Sequence, residues 1–198
     1  AVYDDGSGPA LYAGGDFTLA GGAAASNIAK WDGWSWSALG SGVSGGSSSF
    51  RVRALAVYDD GSGPALYVGG AFTPAGGVPA NGIAKWDGSS WSALGSGMND
   101  TVATLSVYDD DGGAALYAGG SFTSADGIAA NRIAKWDGSS WSPLGSGVSA
   151  GFSDVYVSAL VVHDHGSGLA LHVGGNFTTA GGTTANNIAK WNGTSWSV

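Results

Sequence analysis

No cysteine, glutamate or glutamine occurs in the 198 residues. Without Cys there is no disulfide framework, no thiolate nucleophile and no thiolate metal site, so the redox compartment is left open. Basic residues are scarce. Seven Lys plus Arg stand against fifteen Asp, for a formal net charge of −8, which argues against nucleic acid as a partner because phosphate binding needs clustered cations. No apolar run approaches 18 residues and no charged-then-apolar leader is present, so neither a membrane span nor a signal peptide is expected in these residues. Thirty-seven Gly suggest a flexible chain, yet nine Trp, seven Tyr and six Phe supply apolar surface to offset the entropy of ordering. The chain is expected to fold.

What the sequence has in abundance is itself. Ala10-Leu11-Tyr12-Ala13-Gly14-Gly15 returns at Ala65, at Ala115 and, as Ala170-Leu171-His172-Val173-Gly174-Gly175, once more. Ile28-Ala29-Lys30-Trp31-Asp32-Gly33 returns at Ile83, Ile133 and Ile188. The first Trp of each unit falls at 31, 86, 136 and 191, a spacing of 55, 50 and 55. A period in this range marks a propeller, solenoid or array, in which no unit buries its apolar face alone. One repeat domain over 1–198 is expected, with units at about 1–42, 51–97, 101–147 and 156–198.

The second unit reads as four strands. Val52 to Tyr58 alternates and is rich in β-formers, and Asp59-Asp60-Gly61-Ser62-Gly63-Pro64 turns the chain. Ala65 to Val68 follows and ends at Gly69-Gly70; a third strand runs Gly82 to Trp86, and Asp87-Gly88-Ser89-Ser90 leads into a fourth, Trp91 to Leu94. Short runs separated by Asp-Gly and Gly-Gly signals are the hairpin signature, and no helical period competes. The fold class is therefore all-β, with four four-stranded antiparallel blades. A turn with Gly88-Ser89 at its tip sets Trp86 opposite Trp91, an aromatic cross-strand pair. The pair recurs as Trp31/Trp36, Trp136/Trp141 and Trp191/Trp196. These eight indoles are read as core between blades, with sugar stacking as the functional alternative. The Gly pairs are read as strand ends where backbone comes close or φ is positive, not as phosphate loops, since no helix follows.

Taken together, Leu66-Tyr67-Val68-Gly69-Gly70-Ala71-Phe72-Thr73, Ile83-Ala84-Lys85-Trp86-Asp87 and Trp91-Ser92-Ala93-Leu94-Gly95 resemble the kelch blade of a β-propeller, with a tighter last turn. They are similar to repeats of secreted bacterial propeller proteins and to the extracellular propellers of fungal cortical-marker (Rax-type) proteins. The resemblance covers all four units. It implies a kelch-like β-propeller, an extracellular or cell-surface setting and a binding or scaffolding role, and it carries over no catalytic residue. Such propellers usually have more than four blades. Closure is therefore expected either as a tight four-bladed ring or as a homodimer completing an eight-bladed ring.

In alternating strands, the turns after the first and third strands lie on one face. Eleven of the fifteen Asp fall in those turns, where Asp is favoured and keeps the surface soluble; a weak Ca²⁺ surface is the sharper alternative, without regular loop spacing. Arg51, Arg53 and Arg132 map to the opposite face or its rim. The connections between units there are long after the first and third (Ser44 to Arg53, Ser149 to Ser158) and carry Phe50, Phe152 and Tyr156; the short one carries Asn99-Asp100-Thr101. Variable loops on a rigid scaffold are where binding specificity resides, and neutral drift is the rival account.

Departures from the repeat are few. Trp34 stands where the other units have Ser89, Ser139 and Thr194, so it is read as an exposed indole at a hairpin tip. His163 and His172 replace Tyr, and His165 replaces Asp. A metal or pH-sensitive cluster is the functional reading of the trio, and replacement of a packing Tyr the simpler one. Lys30, Lys85, Lys135 and Lys190 each precede an Asp or Asn by two residues and are read as local ion pairs. Asn99, Asn176 and Asn192 open glycosylation sequons, relevant to a secreted eukaryotic protein.

An enzyme is not expected, because no acid, base and nucleophile set stands outside the repeat apart from the His trio. No cofactor is expected. The leading reading is an extracellular binding or adhesion module for a protein or glycan ligand, with Trp34, Phe50, Arg51, Arg53, Phe152 and Tyr156 as contact candidates. The alternatives are a structural subunit of a surface or filamentous assembly, and a lectin with one site per blade.

Overall fold

Asp-rich turns bend the chain at each short β-forming run. The computed structural model describes residues 1–45, 51–110, 112–164, 166 and 168–198. Among them there is no helix, and so none long and apolar enough to cross a membrane. Four antiparallel four-stranded sheets form, each with its strands in sequence order. The first contains Val2–Asp4, Pro9–Gly14, Ile28–Trp31 and Trp36–Ala38. Its successors run from Arg51–Asp59 to Trp91–Ala93, from Val102–Asp109 to Trp141–Pro143, and from Tyr156–Asp164 to Trp196–Ser197.

The chain divides into two compact units, Ala1–Gly97 and Met98–Val198. Each holds two of the four-stranded sheets and one apolar core. In the first unit Tyr12, Ile28 and Leu39 pack with Leu66, Trp86 and Trp91. In the second Tyr117, Ile133 and Leu144 pack with Leu171, Val173 and Trp191. Period-2 alternation sorts each sheet into two faces. Val2, Leu11, Trp31 and Trp36 are in register across one face of the first sheet, while Tyr12 and Lys30 are in register on the other.

Turn chemistry sets these registers. The Asp87 carboxylate accepts the backbone N–H of Ser89 at 2.8 Å and of Ser90 at 2.7 Å, and Gly88 takes φ 102°, a conformation that needs no Cβ. The expected pairing of Trp86 with Trp91 follows, with ring centroids 5.2 Å apart. In the other hairpin Asp59 accepts from Gly61 and Gly63, while Asp60 accepts from Ser62.

The Gly pairs stand at or near the end of the second strand, which closes at Gly14 and Gly120 in the first and third sheets and runs on to Ala71 in the second, and close backbone approach, not positive φ, is what Gly70 serves. Opposite them the first strand bulges between Val52 and Ala54, bringing the Arg51 carbonyl so near that a Cβ on Gly70 would lie 2.2 Å from its oxygen. The first glycine of the pair serves the neighbouring sheet: a Cβ on Gly14 would meet Val52 Cγ1 at 2.2 Å, and one on Gly119 would meet Val157 Cγ1 at 2.5 Å. The connections between second and third strands carry structure of their own. Each contains a two-residue hairpin, such as Pro74–Ala75 with Val78–Pro79. Val43 bridges to Ala75, and Val148 pairs with Ala180, so the preceding repeat is laced to that hairpin within each unit.

Candidate functional site

The titratable side chains meet in a network that recurs in the first three repeats. The Tyr67 hydroxyl donates to Asp60 Oδ2 at 2.8 Å, Lys85 Nζ donates to the same oxygen at 2.5 Å, and Lys85 also reaches Ser62 Oγ at 2.7 Å. The ammonium lies 5.9 Å from the Tyr67 ring centroid. Tyr12, Asp5 and Lys30 repeat the arrangement, as do Tyr117, Asp110 and Lys135. Burial alone would raise the Asp60 carboxyl, but hydrogen bonds from Lys85, Ser62 and Tyr67 outweigh it and hold the group well below the usual carboxylate range. Burial, reinforced by the adjacent Asp60, raises the Tyr67 phenol. These groups are committed to one another.

The lysines therefore do not pair with the Asp two residues on. The register that sets Tyr12 beside Lys30 delivers the ammonium to Asp5 in the first turn, while Asp32 is occupied accepting from Trp34 and Ser35.

Trp34 stands at its hairpin tip with 91% of its surface exposed. Five of the paired indoles, Trp86, Trp91, Trp136, Trp141 and Trp191, are buried, and Trp31, Trp36 and Trp196 are half-buried. The five buried indoles are thus packing groups and offer no face to a sugar. Arg51 is half-buried and Arg53 exposed at the start of the first strand of the second sheet, the end of that sheet away from its Asp59 turn. Trp34, at the Asp-turn end of the first sheet, does not share a surface with them. In the second unit Phe152 is exposed and Tyr156 half-buried. Arg132 there fastens the connection, its Nε donating to the Val155 carbonyl at 2.8 Å. Phe50 lies outside the described residues.

In the fourth repeat His172 takes the place of Tyr12, Tyr67 and Tyr117, and its ring lies 6.0 Å from that of His163. His165 lies outside the described residues. Among the described residues no three His, Cys, Asp or Glu converge to hold a metal ion. A cleft of about 150 Å³ is lined by His172, Ile188, Ala189, Lys190 and Val198. Sequence reading missed both the network and the cleft. The signal was there in the joint replacement of Tyr and Asp, by His172 and His165, in one repeat only. Comparison with protein-family models, with curated proteins and with solved structures found no match.

Proposed function

We propose that the chain is a non-enzymatic, extracellular binding or adhesion module, a kelch-like β-propeller of four blades that presents its variable inter-blade connections to a protein or glycan ligand. The observation that carries this reading is the contrast between two sets of side chains. Asp, Lys and Tyr in the first three repeats are tied into the same internal network, whereas the connections between repeats differ in length and in residues. Loops held on a rigid scaffold supply specificity without chemistry. Phe152 and Arg53 are exposed there, an aromatic and a guanidinium of the kind that anchor interfaces.

The test is binding of the immobilised protein to a glycan array and to intact cells. Phe152→Ala or Arg53→Ala should lower binding at least tenfold, as loss of an interface anchor does, by about 1.4 kcal/mol or more. Trp34→Ala, at the other end of the sheets, should leave binding unchanged. Loss on Trp34→Ala alone would overturn the loop-face reading. Exposed apolar faces on the first and fourth sheets favour a second reading, a structural subunit of an assembly.

A further inference from the structure

Two Asn-Gly bonds occur in the chain, Asn81-Gly82 and Asn192-Gly193, and the fold treats them differently. An Asn before Gly is open to loss of its side-chain amide, because no Cβ hinders the approach of the next backbone nitrogen to the carboxamide carbon. At the first bond both reacting groups are held. The Gly82 N–H donates to the Phe72 carbonyl at 2.8 Å, Asn81 Nδ2 donates to the Ser96 carbonyl at 2.9 Å, and Gly82 is buried.

The second bond lies in the turn between Ile188–Trp191 and Trp196–Ser197, where Asn192, Thr194 and Ser195 are exposed. Four donors converge on Asn192 Oδ1: the Thr194 N–H at 3.0 Å and hydroxyl at 3.1 Å, and the Ser195 N–H at 2.8 Å and hydroxyl at 3.3 Å. Attack on the carboxamide carbon moves charge onto that oxygen, where donors already in place stabilise it. Among the described residues no hydrogen bond engages Asn192 Nδ2 or the Gly193 N–H. The fold also demands the glycine. Gly193 has φ 99°, and a Cβ on it would lie 2.8 Å from Asp110 Cβ.

We propose that Asn192 is a site of spontaneous deamidation in the folded chain, which protects Asn81 from the same reaction. The Gly193 nitrogen gives its proton to hydroxide and bonds to Asn192 Cγ. The Cγ–Nδ2 bond breaks, ammonia leaves, and a cyclic succinimide closes. Water then opens the ring at either carbonyl, so that amide and water become acid and ammonia. Opening at Cγ gives aspartate, the residue that Asp32, Asp87 and Asp137 supply at this turn position. Opening at the main-chain carbonyl gives isoaspartate, which lengthens the chain between the paired Trp191 and Trp196 and loosens the indole that donates to the Leu144 carbonyl. The aspartates of the other turns resist ring closure. Hydrogen bonds from Ser89 and Ser90 hold the Asp87 carboxyl well below the usual range, and an ionised carboxylate is a poor electrophile. The reaction stands apart from the ligand-binding reading of the loops.

Peptide mapping of the folded chain after incubation at mildly alkaline pH tests it, with far-UV circular dichroism confirming the fold. Trypsin cuts after Arg53, Lys85 and Lys190, so the two amides fall in different peptides. The peptide beginning at Trp191 should convert to aspartyl and isoaspartyl forms, the latter labelled by an isoaspartyl methyltransferase. Its rate should rise with pH, because the attacking nitrogen must lose a proton. The peptide ending at Lys85 should lag on the order of tenfold or more, since its hydrogen bonds have to open first. In guanidinium chloride both should convert at similar rates. Asn81 keeping pace with Asn192 in the folded chain, Asn192 remaining an amide where denaturant converts both, or a lag at Asn81 that persists in denaturant would each overturn the proposal.

Discussion

Replacing Trp91 by alanine perturbs the seam between the two sheets of the first unit at its most loaded point. The indole is 8% exposed, its ring centroid lies 5.2 Å from that of Trp86, and its N–H supplies the hydrogen bond to the Leu39 carbonyl. Deleting a buried aromatic costs about 3–5 kcal/mol through lost transfer energy and the cavity left behind. The orphaned Leu39 carbonyl adds about 1 kcal/mol more, for a total of about 4–6 kcal/mol. Against a net stability of about 5–15 kcal/mol for an ordinary domain, that is enough to unfold much of the population at room temperature. Trp34→Ala is the internal control. It removes the same side chain from a hairpin tip, where a surface change costs under about 0.5 kcal/mol. The backbone bond from Trp34 N–H to Asp32 survives truncation.

Urea titrations followed by far-UV circular dichroism avoid a signal that depends on the Trp removed, and the shift in midpoint at unchanged slope reads the loss. Trp91→Phe separates the two contributions, keeping most of the ring and losing the donor; it should fall between the wild type and Trp91→Ala. Equal losses for Trp91→Ala and Trp34→Ala would refute the seam, since the two residues differ only in what surrounds them.

Gly70→Ala should destabilise by about 1–3 kcal/mol, because its Cβ has to displace the Arg51 carbonyl, and a melt indistinguishable from wild type would contradict the bulge. Asp60→Asn should lower the denaturation midpoint by leaving the Lys85 ammonium without its carboxylate. The same network sets the pH response. Asp5, Asp60 and Asp110 have folded pKa values below their unfolded ones, so their contribution is whole above the ordinary carboxylate range and is lost as pH falls below it. Tyr67 and Tyr117 are raised from 10.0, so stability should also decline as pH climbs past that value; a pH–stability profile flat at either end would contradict the network.

How much of this was written in the chain differs from feature to feature. The pairing of Trp86 with Trp91 was legible because an Asp-Gly-Ser-Ser turn determines it within six residues: the Asp87 carboxylate caps the turn and the two strands follow. The partner of Lys85 was not. Asp87 is the nearest acid along the chain, but it is consumed by its own turn, and the acid that does meet Lys85 sits 25 residues earlier, carried there by the pairing of Lys85 with Tyr67. A cross-strand register decides the ion pair, and no local window contains it. The Gly pairs were legible as places of close backbone approach near a strand end, but the group that approaches was not. What demands Gly70 is a carbonyl across the strand, displaced by a bulge that the sequence does not announce. Two-residue strands such as Pro74–Ala75 are too short for alternation to mark them.

The three histidines are the point at which sequence and structure inform each other most. In the first three repeats a carboxylate is taken out of water, and a Tyr hydroxyl and a Lys ammonium compensate it. Such a set is coupled, since removing one member leaves a desolvated charge behind. In the fourth repeat the Tyr and the Asp positions hold His172 and His165, and Lys190 lines a cleft open to solvent. Lys190 is half-buried like Lys30, Lys85 and Lys135, but imidazoles stand where their carboxylate and phenol partners are. The divergence thus falls on the sheet face where burial is released, Ile188 and Val161 being exposed. His163 stands at the position from which Tyr3 and Tyr108 donate across their seams.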